Sequence, residues 1–193
     1  MILVADLRIE PITPARLGDL DTLFARGDPR TCQCAYLRLT NRDYAQSSPA
    51  DRRDLHHDAV RRAARAKRAA GMVAYDDGGP VGWVSFGPRE EFARLVASPV
   101  LQPVDDAEVT SVVCFVIAPR ARRRGVATAL LDSVIAYAGE HGIALLEAYP
   151  VDREGRAPGA ELWRGPRRLY AAAAPSAAAG TVTRAAAGTR QPT

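Results

Sequence analysis

The sequence predicts an α/β domain with a mixed β-sheet, and three local patterns predict it. Residues 72–86 hold two extended apolar runs around an Asp-Asp-Gly-Gly-Pro turn, which is typical of an antiparallel hairpin. Residues 109–117 form a β-branched run typical of a buried strand. From Val126 onward apolar residues recur at helical spacing, and a second buried run follows at 144–149. Strand, helix and strand in this order predict a βαβ unit, whose strands are parallel. One sheet should therefore contain both antiparallel and parallel pairing.

Two helices are predicted before the hairpin. Residues 13–26 place leucines at helical spacing. Ser48 and Asp51 form a capping pattern ahead of a second helix over residues 49–70, which Gly71 is expected to end. A short strand is expected before both helices. The proline-containing segment between the hairpin and the buried strand is expected to be a long loop with one short helix.

Length and composition favour one globular domain over residues 1–170. Of the 193 residues, 47% are apolar and 25% are charged, so the chain can bury a substantial core. The first apolar run is too short for a signal peptide, and no run approaches the length that spans a bilayer. We therefore expect a cytoplasmic protein without a membrane partner. Residues 171–193 are rich in alanine and arginine, and their small apolar area predicts a disordered tail.

The net charge of +4 does not predict a nucleic-acid partner. Residues 1–154 hold 20 basic and 21 acidic side chains, whereas residues 155–193 hold six arginines and one glutamate. The positive excess therefore lies at the carboxyl end and not on the body of the domain. A nucleic-acid-binding protein is kept only as an alternative, which would bind more weakly as salt rises and would not respond to coenzyme A.

The three cysteines do not have the spacing of a zinc site. Cys32 and Cys34 lack a second pair, so both are expected to be small buried side chains, and Cys114 is expected in the core of the predicted buried strand. The sequence therefore predicts no metal. His56 and His57 lie among charged residues of the second helix and are expected at the surface.

The turn between the buried strand and the following helix carries the most informative pattern. Arg122, Arg123 and Arg124 stand at a predicted helix amino terminus, which is itself partly positive. An anion resolves this conflict, so we expect a phosphate or pyrophosphate held by backbone N–H groups, with Gly125 and Ala127 leaving room for it. Neither a P-loop nor a dinucleotide-binding glycine pattern is present.

The pattern Arg122-x-x-Gly125-x-Ala127 resembles the coenzyme A motif of the GNAT family of N-acetyltransferases, which reads Arg/Gln-x-x-Gly-x-Gly/Ala. The resemblance extends over residues 3–170, because a strand precedes the motif and a helix and strand follow it. Cys-x-Cys-x-Tyr at 32–36 and Glu-Ala-Tyr-Pro-Val-Asp at 147–152 resemble an actinobacterial-type branch. The carboxyl end diverges from the family, since Ala-Pro stands where Gly-Phe and a final strand should follow.

The resemblance implies a twisted mixed sheet with helices on both faces, splayed beside the motif strand to admit acetyl-CoA as acyl donor. It implies transfer of the acetyl group to a primary amine by direct attack in a ternary complex. The backbone of Phe115, Val116 and Ile117 would pair with the pantetheine arm. The pyrophosphate would be held by Arg122, Arg123, Arg124, Gly125, Val126, Ala127 and Thr128.

For catalysis the resemblance points to Glu108 as general base and Tyr170 as general acid. Glu108 could equally be an ordinary carboxylate at a strand edge, and Tyr170 could equally be a packing residue. A catalytically degenerate or non-catalytic coenzyme A-binding module is the alternative function. The sequence leaves open whether the acceptor is a small molecule or a protein amine, and whether the protein is a homodimer.

Overall fold

Six strands form one sheet in the computed structural model, which describes residues 7–101, 103, 105–150, 163–173 and 182–185. The strands are β1 (Arg8–Pro11), β2 (Gly71–Asp76), β3 (Gly79–Pro88), β4 (Thr110–Ile117), β5 (Leu145–Ala148) and β6 (Val182–Ala185). They lie in chain order. Strands β1 to β4 are antiparallel, whereas β4, β5 and β6 are parallel. The predicted mixed sheet, its hairpin and its βαβ unit are thus confirmed.

Helices cover both faces of this sheet, as expected. They are α1 (Leu17–Phe24), α2 (Asp28–Cys32), α3 (Asn41–Gln46), α4 (Pro49–Arg65), α5 (Ala93–Val96), α6 (Val126–Glu140) and α7 (Arg167–Ala173). One face packs against α6, with Leu130 and Val134 in a core cluster with Met72 and Val84. The other face packs against α1 and α4 around Trp83. In the described part of the chain, no helix has the length and apolarity needed to cross a bilayer.

Helix α4 begins as predicted and ends earlier than predicted. Ser48 and Asp51 form a capping box, in which the Ser48 N–H donates to Asp51 Oδ2 at 2.8 Å. The helix ends at Arg65, because Lys67 has a left-handed φ of 55°. Gly71 is therefore not its terminator. Gly71 begins β2, where an added Cβ would lie 2.2 Å from the Trp83 ring, so close packing requires glycine there.

His56 is buried, and its expected surface position is wrong. It is 1% exposed and lies edge-on between the rings of Phe24, at 5.4 Å, and Trp83, at 5.2 Å. The reason is helical spacing, because residue 56 shares the inner face of α4 with Val60 and Ala63. Among the described residues its Nε2 atom has no hydrogen-bond partner. Burial, followed by the charge of nearby Arg38, lowers the pKa of His56 to about 3.

The carboxyl end contains ordered elements that composition did not predict. Residues 182–185 form β6, which pairs in parallel with β5, so the expected disorder and the expected loss of a final strand are both wrong at these residues. The prediction of disorder considered only how much apolar area the segment could bury. Main-chain hydrogen bonds to the free edge of a neighbouring strand can also hold a segment in a sheet. Residues 174–181 and 186–193 of the predicted tail lie outside the described residues, as do residues 3–6 of the first strand, which was predicted over residues 3–9.

His56 should make the stability of the fold fall in mild acid. Its folded-state pKa of about 3 lies below its ordinary 6.5, so the unfolded chain binds the proton first as the pH falls. The contribution of His56 to the free energy of unfolding is complete above pH 6.5 and is lost as the pH falls toward 3. Between pH 7 and pH 5 we expect this group alone to lower the free energy of unfolding by about 2 kcal/mol, measured by urea unfolding.

The matched variant is His56→Phe, which keeps an aromatic ring between Phe24 and Trp83 and cannot take up a proton. Between pH 7 and pH 5, the free energy of unfolding of His56→Phe should fall by about 2 kcal/mol less than that of the natural chain. Equal pH dependence in the two proteins would show that His56 is not the responsible group.

Candidate active site

The sheet opens between β4 and β5. The two strands pair at three positions, from Thr110 with Leu146 to Val112 with Ala148. β5 ends at Ala148, whereas β4 continues to Ile117. No strand of the described residues pairs with 113–117 on this edge, and we call this opening the fork. Alternate N–H and C=O groups of such an edge are available to an added strand or ligand. The splayed sheet expected at the motif strand is thus observed, and Phe115, Val116 and Ile117 lie along it.

The amino terminus of α6 lies beside the far end of the fork. Gly125 is its N-cap, with a left-handed φ of 77° that favours glycine. The first helical hydrogen bond runs from the Ala129 N–H to the Gly125 carbonyl at 3.0 Å. The N–H groups of Val126, Ala127 and Thr128 precede it and therefore have no carbonyl partner within the helix. No side chain caps this terminus and its first turn has no acidic residue, so it can receive an anion.

Close packing holds α6 against the sheet. An added Cβ at Gly82 of β3 would lie 2.8 Å from Cγ1 of Val126 and 3.0 Å from Leu130. Glycine at this position thus lets the first turn of α6 approach β3, which is the neighbour of β4 in the sheet. This packing fixes the amino terminus of α6 relative to the fork.

The arginines of the turn differ in what they contact. Arg120, in the 3-10 turn Pro119–Ala121, forms an ion pair with Asp76 at the end of β2 and so anchors the turn to the hairpin. The Arg122 Nε–H donates to the Ile117 carbonyl at 3.1 Å and closes the end of β4. Arg122, Arg123 and Arg124 are all exposed, so they surround the helix terminus with positive charge. The residues of the predicted anion site thus lie in one continuous segment.

A buried polar network lies where the fork begins. Arg89 donates to Glu147 Oε1, to Tyr149 Oη at 2.8 Å and to the Leu101 carbonyl. The Tyr149 hydroxyl donates to Glu147 and lies 2.8 Å from Ser111 Oγ. The Glu147 carboxylate has no exposed surface and is compensated by Arg89. Removing one partner of such a pair typically costs about 3–5 kcal/mol, so this network fixes β4, β5 and the loop after β3.

Sequence reasoning did not assign this network a role. A signal was present, because Glu147 is a charged residue within an otherwise apolar strand and a buried charge requires a partner. The partner was not predictable, since Arg89 lies 58 residues away. Burial, followed by the hydrogen bond to Glu147, raises the pKa of Tyr149, so its hydroxyl keeps its proton at neutral pH.

Tyr170 lies near the fork but is enclosed. Its ring packs against Phe115 with a centroid distance of 6.3 Å, and its hydroxyl donates to the Arg164 carbonyl. The residue is 5% exposed, and burial raises its pKa, so it carries its proton at neutral pH. The structure therefore brings Tyr170 to Phe115, one of the residues expected to border the pantetheine arm.

Glu108 is not brought to the fork. It is exposed and precedes β4 by two residues. At about 3.3 Å per extended residue, it lies about 13 Å along the chain before Val112, the last residue of β4 that pairs with β5. Ser111, next to Val112 on the same strand, is buried and engaged with Tyr149.

A family comparison identifies the class to which this site belongs. The model of the acetyltransferase (GNAT) family matches residues 35–157, which include the fork, the arginine turn and α6. The chain therefore belongs to the acetyltransferase (GNAT) family, and it is an N-acetyltransferase that uses acetyl-CoA. A comparison with curated protein sequences found no match.

Three solved structures show what this chain is similar to. Arylalkylamine N-acetyltransferase 2 from Aedes aegypti superposes with a TM-score of 0.50 at 15% identity, over 73% of this chain and 74% of that one. A GNAT family acetyltransferase from Brucella melitensis in complex with acetyl-CoA has a TM-score of 0.41 at 16% identity, over 72% and 71%. Ribosomal-protein-alanine N-acetyltransferase from Brucella melitensis biovar Abortus 2308 has a TM-score of 0.42 at 20% identity, over 72% and 77%.

Thr128→Glu should separate helix stability from anion binding at the α6 terminus. A carboxylate in the first turn interacts favourably with the helix dipole, so the free protein should be unchanged or more stable by about 0.3–1 kcal/mol. The same carboxylate would repel a pyrophosphate, so we expect the acetyl-CoA dissociation constant, measured calorimetrically, to rise at least about tenfold, or about 1.4 kcal/mol.

Thr128→Gln is the control, because it has nearly the size of glutamate and no charge. It should bind acetyl-CoA within about threefold of the natural chain, less than 1 kcal/mol. Equal affinities for the Glu and Gln variants would place the phosphates away from this helix terminus.

Proposed function

We propose that this chain transfers an acetyl group from acetyl-CoA to a primary amine by direct attack in a ternary complex. The observation that carries the proposal is the fork, which presents a free strand edge beside an uncapped, arginine-rich helix terminus. A strand edge suits the amide groups of a pantetheine arm, and the helix terminus suits a pyrophosphate. One extended ligand with both groups satisfies both surfaces.

The proposed cofactor contacts follow from this arrangement. The backbone of Phe115, Val116 and Ile117 would pair with the pantetheine arm. The pyrophosphate would be received by Arg122, Arg123, Arg124, Gly125, Val126, Ala127 and Thr128. The small residue Ala127 and the left-handed Gly125 leave the first turn accessible to the phosphates.

Positioning is the main source of rate in this reaction. A primary amine with a pKa of about 10 is mostly protonated at neutral pH, so a proton must leave before attack. The amine nitrogen then bonds to the thioester carbon and gives up its second proton to the base, the carbon–sulfur bond breaks, and the coenzyme A thiolate takes up a proton. A β4 amide facing the fork would stabilise the developing oxyanion, and holding both reactants side by side supplies much of the acceleration.

Two side chains are proposed for the proton transfers. Tyr170 is proposed as the acid for the departing thiolate, and what supports it is its protonated hydroxyl and its contact with Phe115. Glu108 is proposed as the base, and its exposed position before β4 requires the acceptor amine, or a water chain, to extend beyond the fork.

Turnover tests the function as a whole. The natural chain should release free coenzyme A from acetyl-CoA only when an acceptor amine is present. The acceptors to be tested are polyamines, arylalkylamines, amino acids and a peptide with a free amino terminus. Stabilisation by acetyl-CoA, about 2.7 kcal/mol at 100 times the dissociation constant, without turnover of any amine would favour a non-catalytic coenzyme A-binding module.

Tyr170→Phe should lower kcat by about 10²-fold or more if the hydroxyl protonates the thiolate, with the acetyl-CoA dissociation constant unchanged. Phenylalanine keeps the ring contact with Phe115. Tyr137→Phe is the control, because it removes another buried hydroxyl of the same core, one that accepts from the Ala69 N–H. The control should change stability and not kcat. Equal kcat for the natural chain and Tyr170→Phe would show that Tyr170 is a packing residue.

The proposed base is tested in the same assay with the variant Glu108→Gln.

A further inference from the structure

A cavity of about 260 Å³ lies where the loop after α4, the end of β3 and the end of α6 meet. It is on the α6 side of the sheet, because Phe86 and Tyr137, which line it, belong to the core cluster under that helix. Tyr137 follows Gly125 by 137 − 125 = 12 residues, which is about 18 Å along α6 at about 1.5 Å per residue. The cavity is therefore separate from the helix terminus of the proposed cofactor site.

The lining of this cavity has an apolar part and a positively charged part. Phe86 and Ile143 belong to the apolar part, and Lys67 and Arg68 carry positive charge. No acidic side chain is among the described residues that line it. Lys67 and His141 are exposed, so the cavity opens to solvent between them. A ligand can thus enter, and negative charge on it would meet only cations at the wall.

Arg68 has unused hydrogen-bond donors at this wall. Its Nη2 atom donates to Glu91, a carboxylate that is shared with Arg38. Its Nη1 atom is buried and has no hydrogen-bond partner within the described ranges. This atom lies 3.7 Å from the position that a Cβ on Gly87 would take, and Gly87 also lines the cavity. Two arginines thus share one glutamate, and a second carboxylate would balance the remaining charge.

The backbone fixes the positions of both cations. The Arg68 N–H donates to the Ala63 carbonyl, and the Lys67 N–H donates to the Ala64 carbonyl, each at 3.0 Å. These two bonds are those of a Schellman motif at the end of α4. Lys67 has a left-handed φ of 55°, and this position of the motif usually holds glycine. A lysine therefore stands where the backbone itself favours glycine.

An aromatic wall faces these cations. The ring of His141 stacks on that of Tyr137, with centroids 3.8 Å apart and an interplanar angle of 20°. His141 Nδ1 lies 2.9 Å from the Tyr137 carbonyl, which can only accept, so Nδ1 carries a hydrogen. The Tyr137 hydroxyl accepts from the Ala69 N–H at 2.9 Å, and Ala69 follows the two cations directly. The wall and the cationic loop are thus joined to each other.

We propose that this cavity binds a small carboxylate with an apolar body of about the size of an aromatic ring. An apolar cavity of about 150 Å³ is enough for benzene, so there is room here for a ring and a carboxylate. Arg68 and Lys67 receive the carboxylate, and Phe86 and Ile143 contact the ring. Inorganic phosphate has the charge but would leave the apolar wall without a partner.

The first test uses the full natural chain and benzoate, and it is read at Lys67. Lys67 is the single lysine of the chain, so an amine-acetylating reagent modifies only it and the α-amino group, which is the internal reference. Modification is measured by mass spectrometry of the peptides. We expect benzoate to protect Lys67 with a dissociation constant of about 10 mM or tighter, the range for a ligand of its size. Benzamide and inorganic phosphate should each need at least about tenfold higher concentrations.

The second test compares two arginines at the end of α4. Arg68→Gln should raise the benzoate dissociation constant, measured calorimetrically, at least about tenfold, because it removes a charged hydrogen-bond donor. Arg65→Gln is the matched control. It removes an exposed cation that does not line the cavity, and it should bind benzoate within about twofold of the natural chain.

Lys67→Gly keeps the proposal testable if Arg68→Gln fails to fold. Glycine suits the left-handed backbone at this position, so the variant should fold at least as stably as the natural chain. It should nevertheless bind benzoate at least about threefold more weakly, because one of the two cations is lost.

Three results would overturn the proposal: no protection of Lys67 by benzoate, equal protection by benzoate and inorganic phosphate, or equal benzoate affinities of Arg68→Gln and Arg65→Gln. The second result would show a positive surface without selectivity for an apolar body. Because every readout is binding at this cavity and not acetyl transfer, the outcome is independent of the proposed function.

Discussion

The buried ion pair between Arg89 and Glu147 is the contact on which the fork depends. A carboxylate without exposed surface in the sheet interior is stable only with a compensating cation, and Arg89 reaches it from the start of the loop after β3. Because Arg89 also donates to the Tyr149 hydroxyl and the Leu101 carbonyl, three segments are fixed at one point. Beyond that point β5 ends and β4 stays paired only with β3, so the network lies at the boundary between closed sheet and open edge.

The two faces of the sheet differ in chemistry. The face under α6 is an apolar support, and its tight packing on Gly82 holds the helix terminus beside the end of β4. The opposite face contains several buried charged and ionisable side chains. His56 lies against Trp83, Arg38 lies 4.6 Å from the Phe92 ring, and Arg89 lies 5.7 Å from the Tyr149 ring. One face therefore positions the helix terminus, and the other holds buried charged groups such as Arg38 and Arg89.

Most strands and helices were predictable, because their signals are local. The hairpin, β4, α6 and β5 follow from periodicities of two and 3.6 residues, and the start of α4 follows from its capping box. The predictions that were wrong concern residues whose environment is set by distant segments. His56 is buried by Phe24 and Trp83, and β6 is ordered by the free edge of β5.

The sequence by itself determined the βαβ unit and the arginine-glycine turn, since a strand, a turn and a helix amino terminus each lie within one short segment. The tertiary structure decided where the sheet opens, which carboxylate is neutralised and which histidine is buried. These properties depend on residues far apart in the chain, such as Arg89 with Glu147, 58 residues apart. No local periodicity encodes such a pair, because packing of the whole sheet brings its members together.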